Sequence, residues 1–233
     1  MCGIFFSVAR HGYILPSPRT QQLLHHRGPD ASQTYQSVIP NPDASSASQL
    51  HATYLSTVLS LRGSSLVSQP LRDGSSGSVL CWNGEAWKIG GESVVGNDSG
   101  AVFKLLLEAT QKTSHDSEPY SHDPVVLAIS SITGPFALVF FDAINGTLYY
   151  GRDCLGRRSL VKKVSPDDQL ILSSICDNDT GDQWTEVEAD GIYAVSFRQP
   201  TLQTQHHCHR RKGEQPMDEP ALVGEFTQSF EVY

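Results

Sequence analysis

The chain has 233 residues, enough for one large layered core and an additional segment. An apolar fraction of 39%, a charged fraction of 18% and a net charge of −8 suit a folded protein and argue against a nucleic-acid partner. No apolar run approaches the roughly 18 to 20 residues that span a bilayer, and "GIFFSVA", followed at once by Arg10, His11 and Gly12, is too short for a secretory signal. A cytoplasmic location without a membrane partner is therefore expected.

In chain order, residues 3–9 are β-prone and apolar. "LPSPRTQQLLHHRGPD" then offers Ser17 as a cap, Pro18 for a first helical turn, Leu23 and Leu24 as an apolar face, and Gly28 with Pro29 as a stop. Residues 40–48, "PNPDASSAS", read as an exposed loop. "HATYLSTVLSLRG" and "VLCWNGE" read as strands, joined by a Ser/Gly/Asp-rich connection. Val102, Leu105, Leu106 and Ala109 recur at spacings of three and four, which predicts a helix over 99–109 with Asp98 just ahead of it. "DPVVLAISSI" predicts a further helix, ended by Gly134 and Pro135.

Asn145 and Gly146 stand between "FALVFFDA" and "TLYYGRD", and an Asn-Gly pair between β-prone runs predicts a hairpin because both residues tolerate positive φ. "RRSLVKKVS", "QLILSSIC" and "GIYAVSF" continue the strand pattern. Strands gather at the two ends of this pattern and helices in the middle, which predicts an α+β domain of antiparallel sheets with helices on their outer faces. After about residue 197 the chain turns polar and proline-punctuated, so 2–197 reads as the domain and 198–233 as a disordered tail or linker. In that tail, His206, His207, Cys208 and His209 are too crowded for a tetrahedral zinc site, and no metal is expected.

The five cysteines form an odd, scattered set without a C-x-x-C pair, which fits reduced thiols. Cys81, Cys154 and Cys176 read as small buried hydrophobes. Cys2 is different. A small second residue lets the initiator methionine be trimmed, which would leave a thiol and a free α-amine on one residue. A thiol is a poor nucleophile until something takes its proton. An α-amine, with a pKa near 8, can take it and later return it to a leaving group.

"MCGIF", "HHRGPD", "LRG…SQPL", "WNGE", "NDSG", "GPFALVFFD" and "GRDCLGRRSL" follow in that order. Together they resemble the glutamine amidotransferases of the N-terminal-nucleophile hydrolase superfamily. Within that group they are most similar to the glutaminase half of asparagine synthetases and to the asparagine synthetase domain-containing protein 1 family. The resemblance covers residues 2 to about 197. It implies a four-layer αββα sandwich of two antiparallel sheets flanked by helices, and hydrolysis of the glutamine side-chain amide to glutamate and ammonia through a Cys2 thioester, in the context of asparagine biosynthesis.

By the same resemblance the side-chain amide of Asn83 and the backbone N–H of Gly84 would form the oxyanion hole, a role that suits a free NH₂ donor and a residue without a side chain. Arg62 would grip the substrate α-carboxylate and Asp98 its α-ammonium, although Asp98 is equally placed to cap its helix. Glu85 belongs to the substrate pocket, supporting the Asn83 loop rather than moving protons. Arg27, Gly28 and Asp30 would shape the turn over the nucleophile, and Arg152 and Asp153 would lock a late hairpin.

No cofactor is expected in this domain. ATP and magnesium would serve only a synthetase domain or subunit acting as ammonia acceptor, whose Ser-Gly-Gly-x-Asp-Ser phosphate loop is not found in these residues. Gly63 after Arg62, the short spacing to Gln69, and Gly100 depart from the family pattern. They motivate an alternative, a weak or inactive amidotransferase-like domain that acts as a binding or regulatory module.

Overall fold

The computed structural model describes residues 1–40, 49–112, 123–165, 169–177, 183–198, 202–209 and 221–226. Its strands are β1 (Gly3–Ala9), β2 (Ala31–Ile39), β3 (Leu50–Val58), β4 (Leu71–Arg72), β5 (Val79–Gly84), β6 (Lys88–Ile89), β7 (Glu92–Ser93) and β8 (Ile132–Thr133). They continue with β9 (Phe136–Asp142), β10 (Thr147–Arg152), β11 (Val161–Ser165), β12 (Gln169–Ser173), β13 (Thr185–Glu186), β14 (Gly191–Ser196), β15 (Leu202–Cys208) and β16 (Ala221–Phe226). The helices are α1 (Pro18–Arg27), α2 (Asp98–Lys112) and α3 (Pro124–Ser130).

Two large sheets result, ordered β13-β11-β12-β1-β3-β2 and β16-β15-β14-β10-β9-β5-β4, with a small β7-β6-β8 sheet beside them. Strand periodicity decides what each face buries. Ile4, Phe6 and Val8 of β1 pack between the large sheets against Cys81, Val139, Tyr150 and their neighbours. The alternate residue Phe5 packs with Leu55, Ile171 and Leu24 of α1 on the outer side of the first sheet. On the second sheet Leu80, Trp82, Leu138 and Phe140 bury their outer face under Val102 and Leu106 of α2 and Val125 and Ile129 of α3. The layers therefore run helix, sheet, sheet, helix.

α1 begins where Ser17 Oγ accepts from the Thr20 amide and Pro18 fills the first turn; it ends where the Gly28 amide donates to Leu24 O at 3.2 Å. Leu24 anchors it with no exposed surface, a burial worth about 1.5–3 kcal/mol. Asp123 caps α3 through the Val125 and Val126 amides. β9 and β10 form the hairpin, Gly146 taking φ 63° at its turn.

Four expectations change. Residues 31–39 form β2, a strand that the sequence pattern does not announce: "ASQTYQSVI" is mostly polar and only half-covered, and it is held at the sheet edge by its pairing with β3. Asp98 is not a cap, because Asn97 Oδ1 takes the Ser99 amide and hydroxyl at 3.1 and 2.6 Å, while Asp98 opens the helix itself.

Cys154 is exposed and Cys176 half-buried, so only Cys81 of those three is a buried hydrophobe; Cys154 lies in the turn that leaves β10, away from either packed sheet face. Finally, residues 202–208 are not a tail. They pair antiparallel with β14 as β15, because alternation turns Thr204 and His206 inward, with His206 stacked on Tyr193 at 4.6 Å and its Nε2 3.0 Å from Asp190. Residues 41–48, read as an exposed loop, lie outside the described residues. Among the described residues no helix is long and apolar enough to cross a membrane.

Candidate active site

The alternation that builds the core also builds the cavity. Extending the inward face of β1 by one period from Ile4 puts Cys2 on the side that meets the second sheet. In β5, Val79 and Cys81 point between the sheets while Leu80 and Trp82 point to the helices, so Asn83 continues the inward face. Cys2, Asn83 and Gly84 thus line one cavity, together with Arg62, Glu85, Asp98 and Arg158.

Cys2 is half-buried, and its Sγ donates toward Leu59 O at 3.8 Å. Burial pushes the thiol pKa up, partly offset by that hydrogen bond, the terminal amine and Arg158. Such a thiol stays protonated near neutrality and needs a base. Asn83 is 1% exposed, and its Nδ2 is buried without an acceptor. A buried amide donor with nothing to bond costs free energy, about 1–3 kcal/mol, unless a ligand oxygen takes it. A Cβ on Gly84 would lie 2.7 Å from Phe136 Cβ and 2.8 Å from Pro135 O, so this position admits only glycine.

Asp98 is 5% exposed, and its Oδ2 accepts from Trp82 Nε1 at 3.2 Å and from the Ala86 amide at 2.7 Å. Both contacts fix the carboxylate against the wall. Arg62 donates from Nη1 to Ala86 O at 2.9 Å and from Nη2 to Val94 O at 2.7 Å. A guanidinium has five N–H groups, so three of them stay available. Glu85 stands at the rim, 3.4 Å from Arg158 Nη2. Gln69, 3% exposed, accepts the Trp82 amide at 2.8 Å and completes the wall; its bond to Pro70 is cis.

Behind the cavity, Arg27 Nε donates to Cys2 O at 3.3 Å. A Cβ on Gly28 would sit 2.4 Å from Thr57 C, so the turn after α1 packs backbone to backbone on β3. Asp30 Oδ2 takes the Ser60 amide at 2.7 Å, and the Asp30 amide donates to Val58 O at 3.0 Å, which fixes the segment that carries Leu59 and Arg62. Arg152, 6% exposed, donates to Arg158 O at 2.7 Å, Val187 O at 3.0 Å and Gly156 O, and pairs with Glu186. Burial pushes the Asp153 carboxyl up, but Arg157 and the amides of Phe136 and Leu155 outweigh it and leave the group below its ordinary value. These two residues shape the loop that brings Arg158 to the cavity.

Arg158 is a charged cavity residue to which the sequence reading gave no role. Its signal was present in "GRDCLGRRSL", but two adjacent arginines carry no spacing that separates Arg157, which pairs with Asp153 at 2.8 Å, from Arg158, which lines the cavity with Cys2. Among the described residues no group of three or more His, Cys, Asp or Glu side chains is arranged to hold a metal ion.

No family model matches the chain. It is 31% identical over 203 residues to asparagine synthetase domain-containing protein 1 of Mus musculus, covering 84% of this chain and 29% of that protein. The human protein of the same name is 28% identical over 211 residues, covering 87% of this chain and 29% of its own length. The chain thus spans under a third of these curated relatives. Among solved structures, glutamine phosphoribosylpyrophosphate amidotransferase from B. subtilis superposes with a TM-score of 0.50 at 15% identity, over 87% of this chain and 49% of that one.

Proposed function

We propose, for a chain that is similar in sequence to asparagine synthetase domain-containing protein 1 and has the fold of N-terminal-nucleophile glutamine amidotransferases, that it hydrolyses the side-chain amide of glutamine. The observation that carries this reading is the convergence of Cys2 with the buried, unpartnered Asn83 Nδ2 and Gly84 in one cavity.

With Met1 trimmed, the Cys2 α-amine takes the thiol proton and the thiolate attacks the amide carbon. Negative charge grows on the amide oxygen, where Asn83 Nδ2 and the Gly84 N–H receive it. The protonated amine returns its proton to the departing nitrogen, ammonia leaves, and a thioester remains. Water, deprotonated by the same amine, then releases glutamate and restores the thiol.

Arg62 receives the substrate α-carboxylate through the N–H groups that Ala86 and Val94 leave free, and the second oxygen of Asp98, aided by Glu85, receives the α-ammonium. The ammonia goes to an ATP-dependent, asparagine-forming domain or subunit in the cytoplasm. The proposal is tested by incubating the purified protein with glutamine: ammonia and glutamate should appear in equal amounts, and a trimmed protein that produces neither overturns it.

One observation favours the alternative, a binding module without turnover: Arg62 already braces the Ala86 and Val94 carbonyls. Glutamine binding in calorimetry without ammonia release would identify that module. Under the hydrolytic reading, Arg62→Lys should raise KM roughly ten- to a hundredfold, the loss of one or two charge-assisted hydrogen bonds, with kcat changed far less. Steady-state kinetics check this; an unchanged KM would remove Arg62 from the substrate.

A further inference from the structure

Two guanidiniums converge on the beginning of the chain. Arg27 Nη2 lies 3.8 Å from Met1 Sδ, and Arg158 Nη1 lies 3.6 Å from the same sulfur. Like charges this close repel, and burial together with Arg158 lowers the Arg27 pKa. The arrangement is imposed from outside. Arg152 holds the Arg158 carbonyl, and α1 ends with Arg27 against β1. Arg158 is only loosely paired. Its Nε is buried without an acceptor, and Glu85 meets Nη2 only at 3.4 Å, longer than the roughly 2.7–2.9 Å of a strong charge-assisted bond.

We propose that Arg158 is a positioning charge for the nucleophile: with Arg27, which holds the Cys2 carbonyl, it forms a cationic jaw around Cys2 that stabilises the attacking sulfur as its anion. This deepens the hydrolytic reading, because the thiolate, not the thiol, is the attacking species. The groups facing the terminus are Arg27 from α1, Arg158 from the loop after β10, Glu85 from the end of β5, Asp98 from α2, Arg62 from the segment after β3 and the Cys2 thiol itself. Before trimming, burial is the largest reason that the Met1 amine lies below its ordinary value; Arg27 and Arg158 add to this, while Cys2 and Glu85 oppose it. Arg158 also pulls the Cys2 thiol down. Trimming moves the amine from Met1 onto Cys2, whose carbonyl Arg27 already holds.

The sign follows directly. A cation stabilises the thiolate, so removing it requires a higher pH for the same reactivity. For the trimmed protein, the rate of Cys2 alkylation by iodoacetamide should show a rising limb that moves up by about one pH unit in Arg158→Gln, or about tenfold in rate at fixed pH on that limb. The plateau rate should stay within about twofold of the parent. Arg158→Met, which keeps the buried stem, is the second neutral variant should the first not fold. Arg158→Lys, which keeps the charge, should restore most of the shift.

An unmoved limb in a folded neutral variant overturns the proposal, as does a shift that lysine does not reverse. Because alkylation needs no glutamine turnover, a shifted limb in a protein that releases no ammonia would leave the cationic jaw standing and remove only the hydrolytic reading.

Discussion

Cys2→Ala is expected to release no glutamine-derived ammonia above background, a fall of at least roughly a thousandfold, because Cys2 is the cysteine that lines the cavity with Asn83 and Gly84. The fold should survive the change. Cys2 precedes β1 and its side chain bonds only weakly, through sulfur to Leu59 O at 3.8 Å, so the melting temperature should move by a few degrees at most. Cys2→Ser should be nearly as inactive, since an alcohol is far less acidic than a thiol and the same amine cannot activate it to a comparable degree. Ammonia quantified by a coupled dehydrogenase assay, with circular dichroism as the folding control, reads both. A Cys2→Ala protein as active as its parent would place the chemistry elsewhere.

The second large effect lies on the opposite wall. Asn83→Ala should lower kcat roughly 10²- to 10³-fold with little change in KM, because the lost donor matters only once charge has developed on the substrate oxygen. That separation distinguishes it from Arg62→Lys, whose effect falls on KM. Among the described residues the Asn83 Nδ2 has no acceptor, so losing this donor orphans no partner and the cost to stability should stay small. Asn83→Asp should be at least as slow, since a buried carboxylate repels the oxyanion. Steady-state kinetics on the two variants check the pattern, and an Asn83→Ala enzyme with parental kcat would contradict the assignment of this donor.

Much of this architecture could be read from the residues because local and global signals agree. "GIFFSVA" is apolar on both faces because β1 is covered on both, by the second sheet and by α1. The Asn145-Gly146 turn was legible because its backbone demands that chemistry. β2 and β15 were not legible: both are polar, and their strand state comes from pairing with β3 and β14, information that no short window contains.

The cavity residues divide in the same way. Cys2, Asn83 and Asp98 sit in distinctive short motifs, and strand alternation explains why the first two meet. The capping role of Asn97 was hidden because Asn and Asp are both good caps, and only the contacts of Asp98 with Trp82 and Ala86 show which residue turns inward. Arg158 was hidden by its neighbour, since Arg152 and Asp153, through tertiary contacts, decide which of the two arginines reaches the cavity.

The most direct measurement is intact-mass analysis followed by peptide mapping, after treating the purified protein with a diazo-ketone analogue of glutamine. The expected result is a parent mass without Met1 and a single adduct on Cys2, formed more slowly when glutamine is present. A protein that keeps Met1, or a trimmed one modified elsewhere or not at all, would contradict the claim that one residue supplies both the sulfur and the base.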